Sequence, residues 1–291
     1  MPGTLEHPYD DLENGRWIRG ALHVHPRPKD SPWSAVARYA QLGYGFLGLT
    51  EHDYFYGLDD IAEWETRGVV LLPGCEVTRN GPHILQIGGR SAAEPQEDRQ
   101  ALIDAITSEG GFAIVNHPNT SPNFNQCPLE LLQQWTGYLG MEVFNATGLR
   151  GAGNACAADK WDMLLSEGRR LWAFAGDDYH SPIDAGRGWL QAFVRERSLE
   201  GVLDALRSGR FYASTGVTID RIDVDGLFVR VEAAGADRIA AISDNGRRLA
   251  FADARALEAH VPADATYVRF ECWGAGERRA WTQPFWPAKE T

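Results

Sequence analysis

Short, almost continuously hydrophobic runs alternate with amphipathic stretches through the first two-thirds of the chain. The runs have the length of strands and lack the polar alternation of a half-exposed strand, so they predict strands that are buried on both faces. The predicted strands are residues 17–24, 45–50, 69–75, 84–87, 112–116, 140–144, 171–175 and 189–194.

Between several of these runs, apolar residues recur at helical spacing, and glycines follow the last apolar position. The predicted helices are residues 33–42, 58–66, 97–109, 129–135, 157–167 and 199–208. Alternation of strands and helices predicts an α/β fold in which a mostly parallel sheet is covered by helices.

The pattern changes after Gly216, where short strands separated by turn signals replace the alternation. Asp225-Gly226 and Asn245-Gly246 are turn dipeptides of this kind. The predicted strands are residues 219–224, 228–233, 238–243, 256–261 and 267–273. We therefore expect two domains, an α/β domain over residues 1–216 and a small antiparallel β domain over residues 217–291.

Composition narrows the class of protein. Hydrophobic residues make up 44% of the 291 residues, which is enough for a sizeable core. No apolar run has the length of a membrane span, and residues 1–17 do not resemble a secretory signal, so we expect a cytoplasmic protein without a membrane partner. The net charge of −12 argues against a nucleic acid polymer as a partner. The four cysteines form no Cys-x-x-Cys pair and predict free thiols.

Six of the eight histidines lie at or near the ends of predicted strands. These six positions are His23 with His25, His52, His83, His117 and His180. His83 is less regular, because it precedes its strand. His7 and His260 fall outside the scheme and are expected to be structural.

Carboxylates accompany the histidines, and the carboxyl ends of parallel strands meet at one face of such a fold. The acidic residues concerned are Asp30, Glu51, Asp53, Glu76, Asp177 and Asp178. In an extended segment, His23 and His25 point to the same side, because strand side chains alternate with period two. Imidazole and carboxylate ligands without cysteine suit zinc, manganese or iron. The sequence therefore predicts a metal site.

In their order along the chain, these motifs resemble the polymerase and histidinol phosphatase (PHP) superfamily. The motifs are His23-x-His25 with Asp30, Thr50-Glu51-His52, Gly74-Cys75-Glu76, His83, Asn116-His117-Pro118 and Gly176-Asp177-Asp178-Tyr179-His180. The resemblance implies a distorted (β/α)7 barrel and two or three divalent metal ions. It also implies nine ligands, with Glu76 bridging two ions: His23, His25, Asp30, His52, Glu76, His83, His117, Asp178 and His180.

Two further stretches, residues 186–189 and 209–216, look like the CehA/McbA-type branch of this superfamily. Members of that branch also carry a β-rich C-terminal part. One departure lies in residues 26–31, where the family's usual Thr and Ser-Asp-Gly turn are replaced, although Asp30 is kept.

The resemblance implies a hydrolase in which a hydroxide that bridges two metals attacks a small-molecule substrate. The expected catalytic residues are Glu76, His52, Asp178 and Arg187. The expected substrate-binding residues are Arg27, Lys29, Arg187, Tyr54 and Tyr179. A small phosphoester or nucleotide is the favoured substrate, because the family mostly acts on phosphates and because Arg27 and Lys29 lie two and four residues past His25, where cations can pair with phosphate oxygens. The alternatives are a carboxylester or carbamate hydrolase and a metal-binding module without turnover.

Overall fold

The structure is a computed structural model and describes residues 3–26 and 33–288. In chain order, its strands are β1 (Leu5–Glu6), β2 (Arg16–Ala21), β3 (Phe46–Gly48), β4 (Thr50–Glu51), β5 (Tyr54–Phe55), β6 (Val70–Leu72), β7 (Gly74–Val77), β8 (Ile84–Gly88), β9 (Gly111–Val115), β10 (Gly140–Asn145), β11 (Trp172–Gly176), β12 (Trp189–Val194), β13 (Phe211–Ser214), β14 (Arg221–Asp225), β15 (Phe228–Glu232), β16 (Arg238–Ser243), β17 (Arg247–Ala252), β18 (Ala256–His260), β19 (Arg269–Trp273), β20 (Arg279–Trp281) and β21 (Trp286–Pro287). The helices are α1 (Trp33–Gln41), α2 (Leu58–Ile61), α3 (Arg99–Ser108), α4 (Leu129–Gln134), α5 (Ala158–Ser166) and α6 (Leu199–Arg207).

Most of the strands belong to two large sheets. One sheet has five strands in the order β11-β10-β9-β8-β7, and the other has nine in the order β17-β16-β19-β20-β13-β12-β2-β3-β6. β2, β3 and β6 are parallel, as are β9, β10 and β11. β8 and β12 run antiparallel to both of their neighbours, so they depart from the parallel arrangement that the sequence predicts.

Two isolated parallel bridges bring the carboxyl ends of strands together. Val24, beyond β2, pairs with Tyr179, beyond β11, and His52, beyond β4, pairs with Glu76 in β7. The two sheets therefore meet where the predicted ligands lie. The protein is a mixed α/β protein with short helices, and the sevenfold barrel stays a prediction.

The C-terminal strands extend the nine-stranded sheet. β13 pairs with β20, and the sheet continues through β19 and β16 to β17. Trp281 and Trp286 lie in the same hydrophobic cluster as Ile114 of β9 and Trp161 of α5. Only β14, β15 and β18 form a separate three-stranded sheet in the described C-terminal part. The domain division at residue 216 stays a prediction, and backbone pairing runs across it.

Helix α3 forms where the sequence supplies both a cap and an apolar face. The Asp98 carboxylate accepts hydrogen bonds from the backbone of Gln100 and Ala101 at the start of α3, and Leu102 and Ile106 are buried. Residues 58–66 give only the single turn α2, because Trp64 donates to the carbonyl of Ile61 and closes a turn. No helix in the described ranges is long and apolar enough to cross a membrane.

Candidate metal centre

Eight of the nine predicted ligands lie together at the edge where the strand ends meet. This group, called here the Glu76 cluster, consists of His23, His25, His52, Glu76, His83, His117, Asp178 and His180. The ninth predicted ligand, Asp30, lies outside the described residues. The fold therefore brings residues that are far apart in the sequence close together, because the strand ends converge at this edge.

Strand direction explains the position of His83. This residue directly precedes β8, whereas the other ligands lie in or after their strands. Because β8 is antiparallel to β7 and β9, its first residue lies at the same edge as the last residues of its neighbours. The irregularity in the sequence is thus the expected result of one reversed strand.

Glu76 is completely buried at the centre of the cluster. Its Oε1 lies 3.3 Å from Nε2 of His23 and 3.3 Å from Nε2 of His117. The same oxygen lies 3.1 Å from Nδ1 of His83. Its Oε2 lies 2.8 Å from Nδ1 of His52. The two oxygens of one carboxylate therefore face different sets of imidazoles.

The ligand atoms fall into three overlapping groups, each with its atoms within 4.8 Å of one another. The groups are His23 with Glu76 and His117; His23 with His25 and Asp178; and His25 with His52 and His180. The first two groups are buried. In the third, the side chains of His52 and His180 are 42% and 44% exposed. The cluster therefore has a closed inner side and an outer side that is open to solvent.

Some buried polar atoms of the cluster have no hydrogen-bond partner, and these atoms test whether a metal fits. Nε2 of His23 and Oε2 of Glu76 are both of this kind. The 2.8 Å approach of His52 to Oε2 lacks hydrogen-bond geometry. Unpaired buried polar atoms are costly, and a divalent cation would satisfy both of them. The donor set of imidazoles and carboxylates is suited to zinc, manganese or iron.

Glu142 is a buried carboxylate of β10 that the sequence analysis missed. Its Oε1 lies 2.9 Å from Nδ1 of His23, and its Oε2 accepts from the backbone N–H of His117 and from Asn145. A hydrogen bond at Nδ1 leaves the lone pair of His23 Nε2 pointing into the cluster. Carboxylates that orient a ligating histidine in this way are a regular part of metal sites. A charged residue inside an otherwise apolar strand was the available signal, because a buried charge needs a partner.

Gly176, at the end of β11, makes room for this contact. A Cβ at this position would lie 2.3 Å from Oε1 of Glu142 and 3.1 Å from Cβ of His23. Only glycine allows the strand to pass so close to the paired side chains. The Gly in the Gly176-Asp177-Asp178 motif therefore has a steric reason.

Asp177 and Asp178 are neighbours with different surroundings. Asp178 accepts a hydrogen bond from Thr147 and lies 3.3 Å from His23 Nε2. The Asp177 carboxylate instead accepts from the hydroxyl of Tyr39 and from the backbone N–H groups of residues 186–188. Asp178 belongs to the cluster, and Asp177 holds the loop after β11.

The charges of the cluster are mutually stabilised. Burial alone would lower the pKa of His23, but Asp178, Glu142 and Glu76 hold that pKa well above its usual value. Burial alone would raise the pKa of Glu76, but the surrounding histidines, His23 first among them, hold it well below its usual range. The carboxylates therefore stay ionised, and a divalent cation could take the place of imidazole protons.

Among solved structures, the chain is similar to a two-domain protein from Bacteroides vulgatus that contains a predicted PHP-like metal-dependent phosphoesterase. The identity is 18%, the TM-score is 0.52, and the match covers 100% of this chain and 92% of the other. The two chains share a fold. No protein-family model and no curated protein matches this chain.

Two further solved structures have lower TM-scores, of 0.45 and 0.40. The first is a lesion-specific endonuclease from Pyrococcus furiosus, with 16% identity over 66% of this chain and 56% of the other. The second is PsfC from Pseudomonas syringae, with 17% identity over 61% of this chain and 82% of the other. These scores are too low to establish a shared fold.

The predicted substrate residues do not gather around the Glu76 cluster as the predicted ligands do. Tyr179 is only 1% exposed and packs against Tyr39 in the core. Tyr54 is 38% exposed, and its ring lies 4.9 Å from that of Tyr56. Arg187 lines a different cavity, whose described walls contain none of the ligands. Arg27 and Lys29 lie outside the described residues.

Proposed function

We propose that the chain is a hydrolase of the PHP superfamily that binds two or three zinc, manganese or iron ions and cleaves a small phosphoester. The observation that carries this proposal is the position of Glu76, whose two oxygens face separate sets of histidines in a buried cluster. A structural role alone would leave no reason for so many buried ionisable groups with unpaired atoms.

The three ligand groups support more than one ion. His23 with Glu76 and His117 would hold an inner ion, and His25 with His52 and His180 would hold an outer one. Divalent ions at such a site supply positive charge towards a phosphoryl oxygen and lower the pKa of water. The protein's own task is then to hold these ligands rigidly and to leave one side open.

Several neighbouring side chains hold the ligands in place. Glu142 orients His23, Thr147 donates to Asp178, and Asn116 donates to Oε1 of Glu76 at 2.8 Å. Fixed ligands keep the site's charges in position before a substrate arrives, which is how electrostatic catalysis lowers a barrier.

The exposed outer side favours turnover over simple metal storage. His52 and His180 are both more than two-fifths exposed, whereas a purely structural ion is normally enclosed by its ligands. A phosphoester that approaches from this side would reach the outer ion without any rearrangement of the core.

Carboxylester or carbamate cleavage is the second candidate, because residues 186–189 and 209–216 resemble the CehA/McbA branch. The two candidates differ in the charge of the substrate. A phosphoester brings its negative charge in the ground state, whereas an ester or carbamate oxygen gains its charge only during the reaction.

The test is a substrate panel with the metal-loaded protein. The release of p-nitrophenol is measured from p-nitrophenyl phosphate, bis(p-nitrophenyl) phosphate, p-nitrophenyl acetate and a p-nitrophenyl carbamate. We expect turnover of a phosphate substrate that a chelator abolishes and added metal restores. Cleavage of the acetate or carbamate alone would favour the second candidate. No metal-dependent turnover with any of them would contradict the proposal.

A matched pair of variants assigns the activity to the cluster. Glu76→Gln keeps the size of the side chain and removes its charge, whereas Glu258→Gln makes the same change at an exposed position of β18. We expect Glu76→Gln to lower turnover by roughly 100-fold or more, and Glu258→Gln to leave it unchanged.

A further inference from the structure

A cavity of about 460 Å³ lies near the Glu76 cluster. Its size falls within the roughly 300–1,000 Å³ that is usual for small-molecule sites. The wall combines the loop after β10, the loop after β11, and the turn between β19 and β20. The cavity therefore lies between the loops that follow β10 and β11 and the C-terminal strands β19 and β20.

The cavity is positively charged in a protein that is strongly acidic. Arg187, Arg278 and Arg279 line it against a single carboxylate, that of Glu277, although the chain as a whole has a net charge of −12. Within the described ranges, Arg279 pairs with Glu271, while Arg187 and Arg278 take part in no ion pair. The Nε of Arg187 donates only to the carbonyl of Ile183. Two guanidinium groups are thus available to an anion.

The same cavity has an aromatic wall and an unused donor. The rings of Phe144 and Trp281 stack with centroids 6.1 Å apart. The indole N–H of Trp281 is buried and has no hydrogen-bond partner. Because Trp281 is completely buried, the half-buried ring of Phe144 forms the accessible aromatic surface. The wall therefore offers both apolar surface and hydrogen-bond donors.

Two segments connect this cavity to the metal centre. Phe144 and Leu149 line the cavity, and between them Thr147 donates to Oδ2 of Asp178. The Arg187 side chain lines the cavity, and its backbone N–H donates to the neighbouring Asp177 at 2.6 Å. A molecule that occupies the cavity would contact the segments that hold Asp177 and Asp178.

We propose that this cavity binds an anionic group, a carboxylate, sulfonate or phosphate, on an aromatic or aliphatic part of the substrate that is remote from the bond to be cleaved. Arg187 and Arg278 bind the anion, and the ring of Phe144, which stacks on Trp281, contacts the apolar part. The substrate is then an organic molecule with two anionic ends. This assignment of substrate class rests on the proposed hydrolase function, whereas the anion site itself does not.

The first arm of the test measures binding to the metal-loaded protein by titration calorimetry. The probe is benzenesulfonate, a weak metal ligand, and methyl phenyl sulfone is its uncharged counterpart. We expect the sulfonate to bind and the sulfone not to bind. Arg187→Gln and Arg278→Gln should each weaken sulfonate binding by roughly tenfold or more. Arg247→Gln, at an exposed position of β17 outside this wall, should not.

The second arm compares p-nitrophenyl phosphate with its 2-carboxylate derivative. In Arg278→Gln, the ratio of the two KM values should shift by roughly tenfold against the carboxylated substrate, while the ratio of the kcat values is kept, as for a contact made equally in ground and transition states. Arg247→Gln should keep both ratios.

The outcomes separate this inference from the proposed function. Absence of sulfonate binding, or equal binding by the wild-type chain and both arginine variants, would overturn the anion site. Sulfonate binding that depends on the arginines, together with an unchanged KM ratio, would overturn its role in substrate selection. If the metal-loaded wild-type chain turned over neither phosphate substrate, the hydrolase proposal would be contradicted. The result of the binding measurement would remain valid.

Discussion

Two buried polar clusters are built from similar charged groups and differ in whether they are complete. The Arg269 cluster consists of Asp162, Tyr267, Arg269 and Glu271 and joins α5 to β19 and the residues before it. Both oxygens of Asp162 bind Arg269, at 2.6 and 2.7 Å, and Tyr267 donates to Oδ1 at 2.7 Å. In the Glu76 cluster, by contrast, Oε2 of Glu76 and Nε2 of His23 have no hydrogen-bond partner.

The difference indicates what each cluster is for. In the Arg269 cluster, a bidentate guanidinium neutralises the buried carboxylate, so the protein is complete there without any added group. The Glu76 cluster brings several imidazoles and carboxylates together and leaves polar atoms unpaired that a divalent cation would satisfy. The Arg269 cluster stabilises the fold, and the Glu76 cluster is the candidate metal site.

The largest expected effect comes from breaking the complete cluster. Arg269→Met removes the guanidinium that binds Asp162 and leaves a buried carboxylate without this counter-charge. We expect the free energy of unfolding to fall by roughly 3–5 kcal/mol, measured by urea denaturation. The protein that remains folded should keep its metal content, because no ligand belongs to this cluster.

A double variant sharpens this prediction. In Asp162→Leu/Arg269→Met, no buried charge is left unpaired at that pair, so much of the lost stability should return. If Arg269→Met alone were as stable as the wild-type chain, the view of this cluster as a structural tie would be wrong.

A smaller effect is expected at the positioning carboxylate of the incomplete cluster. Glu142→Gln weakens the hold on Nδ1 of His23, and we expect metal affinity to fall by about 10- to 100-fold in competition with a chelator. Gly176→Ala should act in the same direction, because its Cβ would lie 2.3 Å from Oε1 of Glu142. Glu258→Gln is the matched control. Unchanged affinity in both Glu142→Gln and Gly176→Ala would remove Glu142 from the site.

The smallest effect is expected at an ion pair on the surface. Arg238 and Asp253 form such a pair on β16 and the turn beyond β17, with side chains 42% and 65% exposed. Asp253→Asn should change neither the Tm nor the metal content measurably, because solvent already screens both charges. A clear drop in Tm would show that an exposed ion pair also stabilises the protein. Burial would then not explain the effect expected for Arg269→Met.

The sequence predicts most of the strands, because buried strands are written as continuous apolar runs. Residues 112–116 and 171–175 give β9 and β11 almost residue for residue. Strand direction is harder, since β8 and β12 have the same apolar character as their parallel neighbours. The strand β17 was not predicted, and its sequence, Arg247–Ala252, begins with two charged residues.

The candidate site divides in the same way. Candidate ligands such as His117 and Asp178 stand out in the sequence because they sit in short motifs at strand ends. Glu142 does not, because its importance comes from His23, 119 positions away in sequence. Arg187 was predicted beside the metals, and the structure instead places its side chain in the neighbouring cavity, since its backbone, not its guanidinium, binds Asp177. Local sequence patterns indicate which residues are candidate ligands. The neighbours of these residues depend on the tertiary structure.

If metal ions complete the Glu76 cluster, they can be counted in the purified protein. Elemental analysis is performed on the wild-type chain, Glu76→Gln and Glu258→Gln, each purified without a chelator and shown to be folded by circular dichroism. We expect about two or more manganese, iron or zinc ions per chain in the wild type and in Glu258→Gln, and clearly fewer in Glu76→Gln. Less than one ion per wild-type chain, with no gain when metal is added, would show that the Glu76 cluster is not a metal site.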